Sequence, residues 1–130
     1  MKKQGVLHGE LSRYIASLGH GQSLVIADYG LPAPAQVPLI DLAVTQGVPS
    51  FWDVLSTVLE EYSVEVATVA GELQEAHPEL FAKIASAVQA PLEVISHEAF
   101  KERLGSARVI VRTGEFTSYA NVILKSSVLF

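Results

Sequence analysis

At 130 residues the chain has the length of one domain and room for an ordinary buried core. Apolar residues make up 49% and charged residues 18%, the formal net charge is -5 and there is no cysteine. That balance excludes disulfides, thiolate catalysis and thiolate metal sites, offers no basic patch to nucleic acid or an anionic membrane, and leaves the surface so thinly charged that an apolar subunit interface is expected.

Leu11, Tyr14, Ile15 and Leu18 fall at i, i+3, i+4 and i+7, which predicts an amphipathic helix from Gly9 to Leu18, ended by a left-handed Gly19. His20 follows directly. Carbonyls left unpaired at a helix end favour a protonated imidazole, so His20 reads either as a proton carrier or as a cap. Ser23 to Ala27 is a short apolar run suited to a strand buried on both faces. Asp28 then stands at the carboxyl end of that strand, either aimed at a ligand hydroxyl or capping its own Asp-x-Gly turn. Two prolines make Tyr29 to Pro34 a stiff extended loop.

Val37 to Val44 has a strand pattern, and Ser50 with Asp53 forms the capping signature of a helix that runs to about Tyr62, with Phe51 and Trp52 packing at its first turn. Val64 to Ala70 is a strand, Pro78 to Gln89 a helix with proline in its first turn, and Leu92 to Ile95 another strand. Ser96 is placed to cap a helix from His97 to Leu104 that Gly105 terminates, and on it His97 and Lys101 share a face near the preceding strand's end. Strands from Ala107 to Val111 and from Val122 to Leu124 then enclose Arg112 to Asn121, a connection longer and more polar than a hairpin needs. It reads as a site or as a solvated loop, with Arg112 and Glu115 expected to brace it through a salt bridge. The apolar end Val128-Leu129-Phe130 would be odd if left in water and is expected at a subunit interface. Alternation of strands and helices predicts a single α/β domain with a mostly parallel central sheet flanked by helices.

Nucleotide-binding glycine motifs, a His-Glu-x-x-His pair and a Gly-x-Ser-x-Gly elbow are all lacking. What remains is a set of hydrogen-bonding and proton-carrying side chains, His20, Asp28, His97, Lys101, Tyr119 and Asn121, suited to a polyhydroxylated ligand and proton transfer. Metal binding by residues distant in sequence stays open, but nothing in the sequence motivates it. The start of the chain has no signal peptide and no apolar run reaches the roughly 20 residues that span a bilayer, so we expect a cytoplasmic protein.

Gly19-His20, Val25 to Pro34 (Val-Ile-Ala-Asp-Tyr-Gly-Leu-Pro-Ala-Pro), Ser96-His97-Glu98 and Arg112 to Asn121 together resemble the D-ribose pyranase family, over essentially the whole chain. The resemblance implies a ribose pyranase-like fold, a cofactor-free cytoplasmic isomerase that interconverts pyranose and furanose D-ribose, and a homodecamer of two pentameric rings with sites between subunits. It also implies that His20 is the catalytic proton donor and that Asp28, His97 and Tyr119-Ala120-Asn121 hold the sugar. Lys101 is added from its shared face with His97. Gln22 stands where the family commonly has an acid and Ser118 where it commonly has proline; the first departure is expected to loosen the setting of His20 and the second the loop before Tyr119. A fucose mutarotase-type anomer exchange and a sugar-binding protein without turnover are the alternatives.

Overall fold

A computed structural model describes residues 1–130. Its helices are α1 (Gly9–Ser17), α2 (Phe51–Leu59), α3 (Gly71–Ala76), α4 (Pro78–Val88) and α5 (His97–Arg103), and its strands β1 (Ser23–Ala27), β2 (Leu39–Asp41), β3 (Val64–Ala70), β4 (Leu92–Ile95), β5 (Val109–Arg112) and β6 (Val122–Ser126). Local chemistry explains the starts. Ser50 Oγ accepts from the Asp53 amide at 3.0 Å while Asp53 Oδ2 accepts from the Ser50 amide at 3.4 Å, which closes the capping box of α2. Pro78 opens α4, and Ser96 Oγ accepts from Ala99 N at 3.1 Å to start α5.

The six strands form one sheet in the order β2-β5-β1-β6-β3-β4. β1 is parallel to β5, β5 to β2 and β3 to β4, whereas β6 is antiparallel to both neighbours, β1 and β3. Five strands therefore point one way and the sheet is mostly parallel, as expected. β5 and β6 do not form a hairpin, because β1 lies between them. One face carries the larger core, where α1, α2 and α4 bury Leu11, Phe51, Leu55 and Ile84 against Leu24, Ile26 and Val109. The opposite face packs Phe100 and Leu104, with Leu31 and Val37 from the proline loop, on Val25, Ile110 and Ile123. Phe51 and Phe100 are fully buried, and burying such a side chain contributes about 1.5–3 kcal/mol each.

Four local expectations change. α1 ends on Leu18 in extended geometry, and the left-handed glycine is Gly21 (φ 81°) instead of Gly19, whose amide is met by Gln22 Oε1 at 2.9 Å. The side-chain acceptor lets the chain leave the helix straight and postpone its turn. The strand over Val37 to Val44 contracts to Leu39–Asp41, since Pro38 has no amide to pair and Asp41 Oδ1 turns the chain by accepting from Ala43 N at 3.1 Å. α3 was not expected from the sequence: with Leu73 its one buried residue, it has no stripe to see. A 3₁₀ turn over Leu104–Ser106 continues α5, so Gly105 lies within that turn and does not end the helix.

Candidate functional site

The carboxyl ends of the parallel strands deliver Asp28 after β1, the loop from Thr113 after β5, Gly71 after β3 and Ser96 after β4 to one edge of the sheet, where ligands bind in open α/β folds. Thr113 and Asn121, both buried, bolt the loop there. Thr113 Oγ1 donates to Ala27 O at 2.8 Å and accepts from Glu115 N at 3.1 Å. Asn121 Oδ1 accepts from Asp28 N at 2.8 Å, and its Nδ2 donates to Asp28 Oδ2 at 2.9 Å. The Glu115 carboxylate accepts from Phe51 N at 3.0 Å and from Thr117 Oγ1 at 2.8 Å, tying the loop to the start of α2. Burial alone would push Glu115 up, but these bonds outweigh it and its carboxyl sits below the usual range.

Arg112 and Glu115 do not pair. Arg112 reaches across to Asp41 Oδ2 on β2, because parallel register sets those two residues side by side. Gly114 has no room for a side chain: a Cβ would meet Thr45 O and Val48 O, both at 2.6 Å. Ser118, expected to loosen the loop, is instead tethered through His77 Nε2 at 3.1 Å. Tyr119 adopts φ 63°, a left-handed conformation that costs an ordinary residue about 1–3 kcal/mol and persists where surrounding bonds over-determine it.

Between these groups lies an open hollow of about 470 Å³, within the usual range of small-molecule sites. Asp28, His97 and Tyr119 line it, with the Leu31-Pro32 loop on one side and Phe116 to Ser118 on another. His97 meets Tyr119 edge-on, ring centroids 5.0 Å apart, and its position is set by Glu72, both of whose oxygens accept from His97 N, at 3.1 and 3.0 Å. His97 Nδ1 is buried without a partner, which leaves Nε2 as the nitrogen available to a ligand. Burial pushes the Asp28 carboxyl above its ordinary value, against the bonds from Asn121, Gly30 N and Leu31 N and the charge of His97. Tyr29 and Phe116 stack 5.6 Å apart at the mouth, with the Arg112 guanidinium 5.1 Å above Tyr29. Carboxylate, imidazole and phenol converging on an apolar floor fit a small polyol. Among His, Asp and Glu, no three converge as a metal would require.

Of the residues singled out in sequence, Asp28, His97 and Tyr119 thus meet in one chain. Ala120 and Asn121 lie fully buried behind them. Lys101, one turn beyond His97, pairs with Glu98 at 2.8 Å. His20 is elsewhere: it precedes β1 whereas Asp28 follows it, and five strand residues separate the two by at least about 16 Å. Its Nε2 is bonded to Glu65 Oε1 at 2.9 Å, so it neither caps α1 nor touches Asp28. Asp28 Oδ1 does accept from Gly30 N at 2.9 Å, so the carboxylate that lines the hollow also caps its own turn. Tyr29, Phe116, Glu72 and His77 escaped the sequence reading; only the stiffness of the loop after Asp28 hinted at the first of these walls.

Residues 1–129 match the RbsD / FucU transport protein family. The chain belongs to that family. It is 47% identical to the D-ribose pyranase of Bacillus cytotoxicus and 49% identical to that of Bacillus cereus, each over the full length of both chains. Its fold superposes with a TM-score of 0.95 on Bacillus subtilis RbsD complexed with D-ribose, at 41% identity and complete coverage of both. The fucose mutarotase of Streptococcus pneumoniae in complex with L-fucose shares the fold (TM-score 0.81) at 23% identity over all of both chains.

Proposed function

We propose that this chain is a D-ribose pyranase that interconverts the six- and five-membered ring forms of the sugar. The observation that carries the proposal is the convergence of Asp28, His97 and Tyr119 on a hollow at the carboxyl edge of the sheet, in a chain so close to D-ribose pyranases in sequence and to a ribose-bound relative in fold. Ring opening removes the proton of the C1 hydroxyl, breaks the bond from C1 to the C5 oxygen and protonates that oxygen, leaving an aldehyde. The C4 hydroxyl then adds to C1, giving up its proton as the carbonyl oxygen gains one. Atoms and charges balance without redox change, so the chemistry asks for proton carriers and for a fixed sugar.

His20 is the proton carrier in this reading, supplied to the hollow by a second copy of the chain, since its own copy holds it at the other end of β1. Asp28 accepts from a sugar hydroxyl, His97 and Tyr119 fix neighbouring ones, and Ala120 and Asn121 set the backbone and the Asp28 carboxylate behind them. Lys101 swings from Glu98 to an outer hydroxyl. The working form is a cytoplasmic homo-oligomer, a decamer of two rings. Exchange between ring forms, followed by NMR saturation transfer, tests the assignment: His20→Ala should lose most of the exchange while ribose still binds. Wild-type exchange in that variant would refute it.

A further inference from the structure

We infer that Glu65 is a positioning residue for His20, fixing which imidazole nitrogen exchanges protons with the sugar; the inference rests on the reading of His20 as the proton carrier. Glu65 is the extra residue of a β-bulge. Val64 is opposite Ser126 and Val66 opposite Lys125, so two steps along β3 match one along β6 and the residue between is thrown out of the ladder. There its Oε1 lies 2.9 Å from His20 Nε2 and its Oε2 3.0 Å from Lys125 Nζ. One carboxylate therefore joins the loop before β1 to β6, and each oxygen has a separate task.

The bond to Oε1 places the Nε2 proton, which leaves Nδ1 with the lone pair. An imidazole whose two nitrogens are distinguished in this way has one tautomer and one direction of attack, and a carboxylate behind it steadies the positive charge that it acquires on taking a proton. Lys125 keeps that carboxylate ionised and turned: bonds from His20 first and Lys125 second hold the Glu65 carboxyl below its usual range. Glu65 and Lys125 are the charged groups that meet His20 or its partner; Glu93 and Arg103, bonded to each other, line the neighbouring hollow.

Stability is a poor explanation for this arrangement. The His20 and Glu65 side chains are 55% and 39% exposed, and an ion pair so open to water contributes little to folding. A bulge that spends its side chain on an exposed histidine is better explained by what the histidine does.

Glu65→Gln keeps an acceptor oxygen and removes the charge. In the intact oligomer we expect exchange at saturating ribose to fall about 10- to 100-fold, the range by which loss of the group behind a metal-ligating histidine lowers activity, with half-saturation unchanged within twofold. Glu65→Asp should recover part of the rate, and His20→Ala with Glu65→Gln should be no slower than His20→Ala alone. Loss of exchange in His20→Ala together with a wild-type rate at saturating ribose in Glu65→Gln would overturn the role of Glu65 and leave that of His20 standing. A slow Glu65→Gln whose sedimentation profile differs from wild type would overturn it too, since the carboxylate would then be acting on assembly.

Discussion

Asn121 is fully buried and both ends of its amide are spent on Asp28, so Asn121→Asp changes one atom at the base of the hollow without changing its shape. The acceptor for Asp28 N survives. The donor to Asp28 Oδ2 does not, and two carboxylate oxygens now face each other where a 2.9 Å hydrogen bond stood. If both ionise, their bare repulsion at that separation is about 6 kcal/mol at an effective dielectric constant of about 20. Retaining one proton costs about 1.4 kcal/mol for each pH unit above the ordinary carboxyl value, so about 1.5 kcal/mol at pH 5 and about 5.5 at pH 8. The retained proton is the cheaper route throughout that interval. Water at the partly exposed Asp28 screens the pair, and we expect about half of the span, a stability loss that grows by about 2 kcal/mol from pH 5 to pH 8.

The sign follows from proton binding. Burial already holds the Asp28 carboxyl above its ordinary value, and the variant raises the pair further. The folded state then binds more protons than the unfolded chain, so stability is highest below the ordinary carboxyl value and is lost as pH rises towards the folded one. Urea midpoints of wild type and variant at pH 5, 6, 7 and 8 measure the trend. A difference between the two proteins that is flat or shrinks with rising pH would refute the placement of the Asn121 amide against the Asp28 carboxylate.

Gly114→Ala sets a methyl against the backbone of Thr45 and Val48, and overpacking against groups that cannot swing aside costs about 1–3 kcal/mol, read as a lower urea midpoint. Tyr62→Phe removes a hydroxyl bonded to Leu124 O at 3.0 Å and Ser126 Oγ at 2.6 Å, and should cost about 1–2 kcal/mol in the same assay with the exchange rate unchanged. Ser118→Ala frees the loop from His77; the bond is exposed, so stability should move by less than about 0.5 kcal/mol, while the ribose concentration for half-maximal exchange rises and the maximal rate holds. Exchange per chain should fall on dilution to concentrations where sedimentation shows monomer.

The elements whose causes are local were legible. Ser50 with Asp53, Pro78, and Ser96 announce α2, α4 and α5 through bonds made within one turn, and β1 is a continuous apolar run because both of its faces are covered. What the sequence hid depends on which strands become neighbours. Proximity in sequence suggests Glu115, three positions away, for Arg112, but its partner is Asp41, which only the parallel pairing of β2 with β5 brings alongside. The sequence marks Asn121 as a hydrogen-bonding group of the polar loop, yet its amide faces Asp28, 93 positions earlier, because β6 inserts beside β1. The bulge at Glu65 leaves no trace in the alternation of β3, since its cause lies in the register of β6.

The direction of β1 sets His20 apart from Asp28, His97 and Tyr119. Its parallel neighbours send their following loops to the carboxyl edge, where Asp28, His97 and Tyr119 gather, and the same geometry consigns whatever precedes β1 to the opposite edge. There His20 stands beside the end of β6, where Gly21 N donates to Ser126 O at 3.1 Å, and the tail that follows leaves Leu129 and Phe130 almost wholly exposed. Tyr29 and Phe116, at the mouth of the hollow, are exposed aromatics too. In a two-fold dimer two unlike apolar surfaces at unlike ends of one chain can cover each other only where both fall within the one shared patch, whereas a head-to-tail contact covers them without that condition, and one that closes makes a ring. In such a ring each hollow would receive the next copy's His20, and assembly would be a condition of proton transfer.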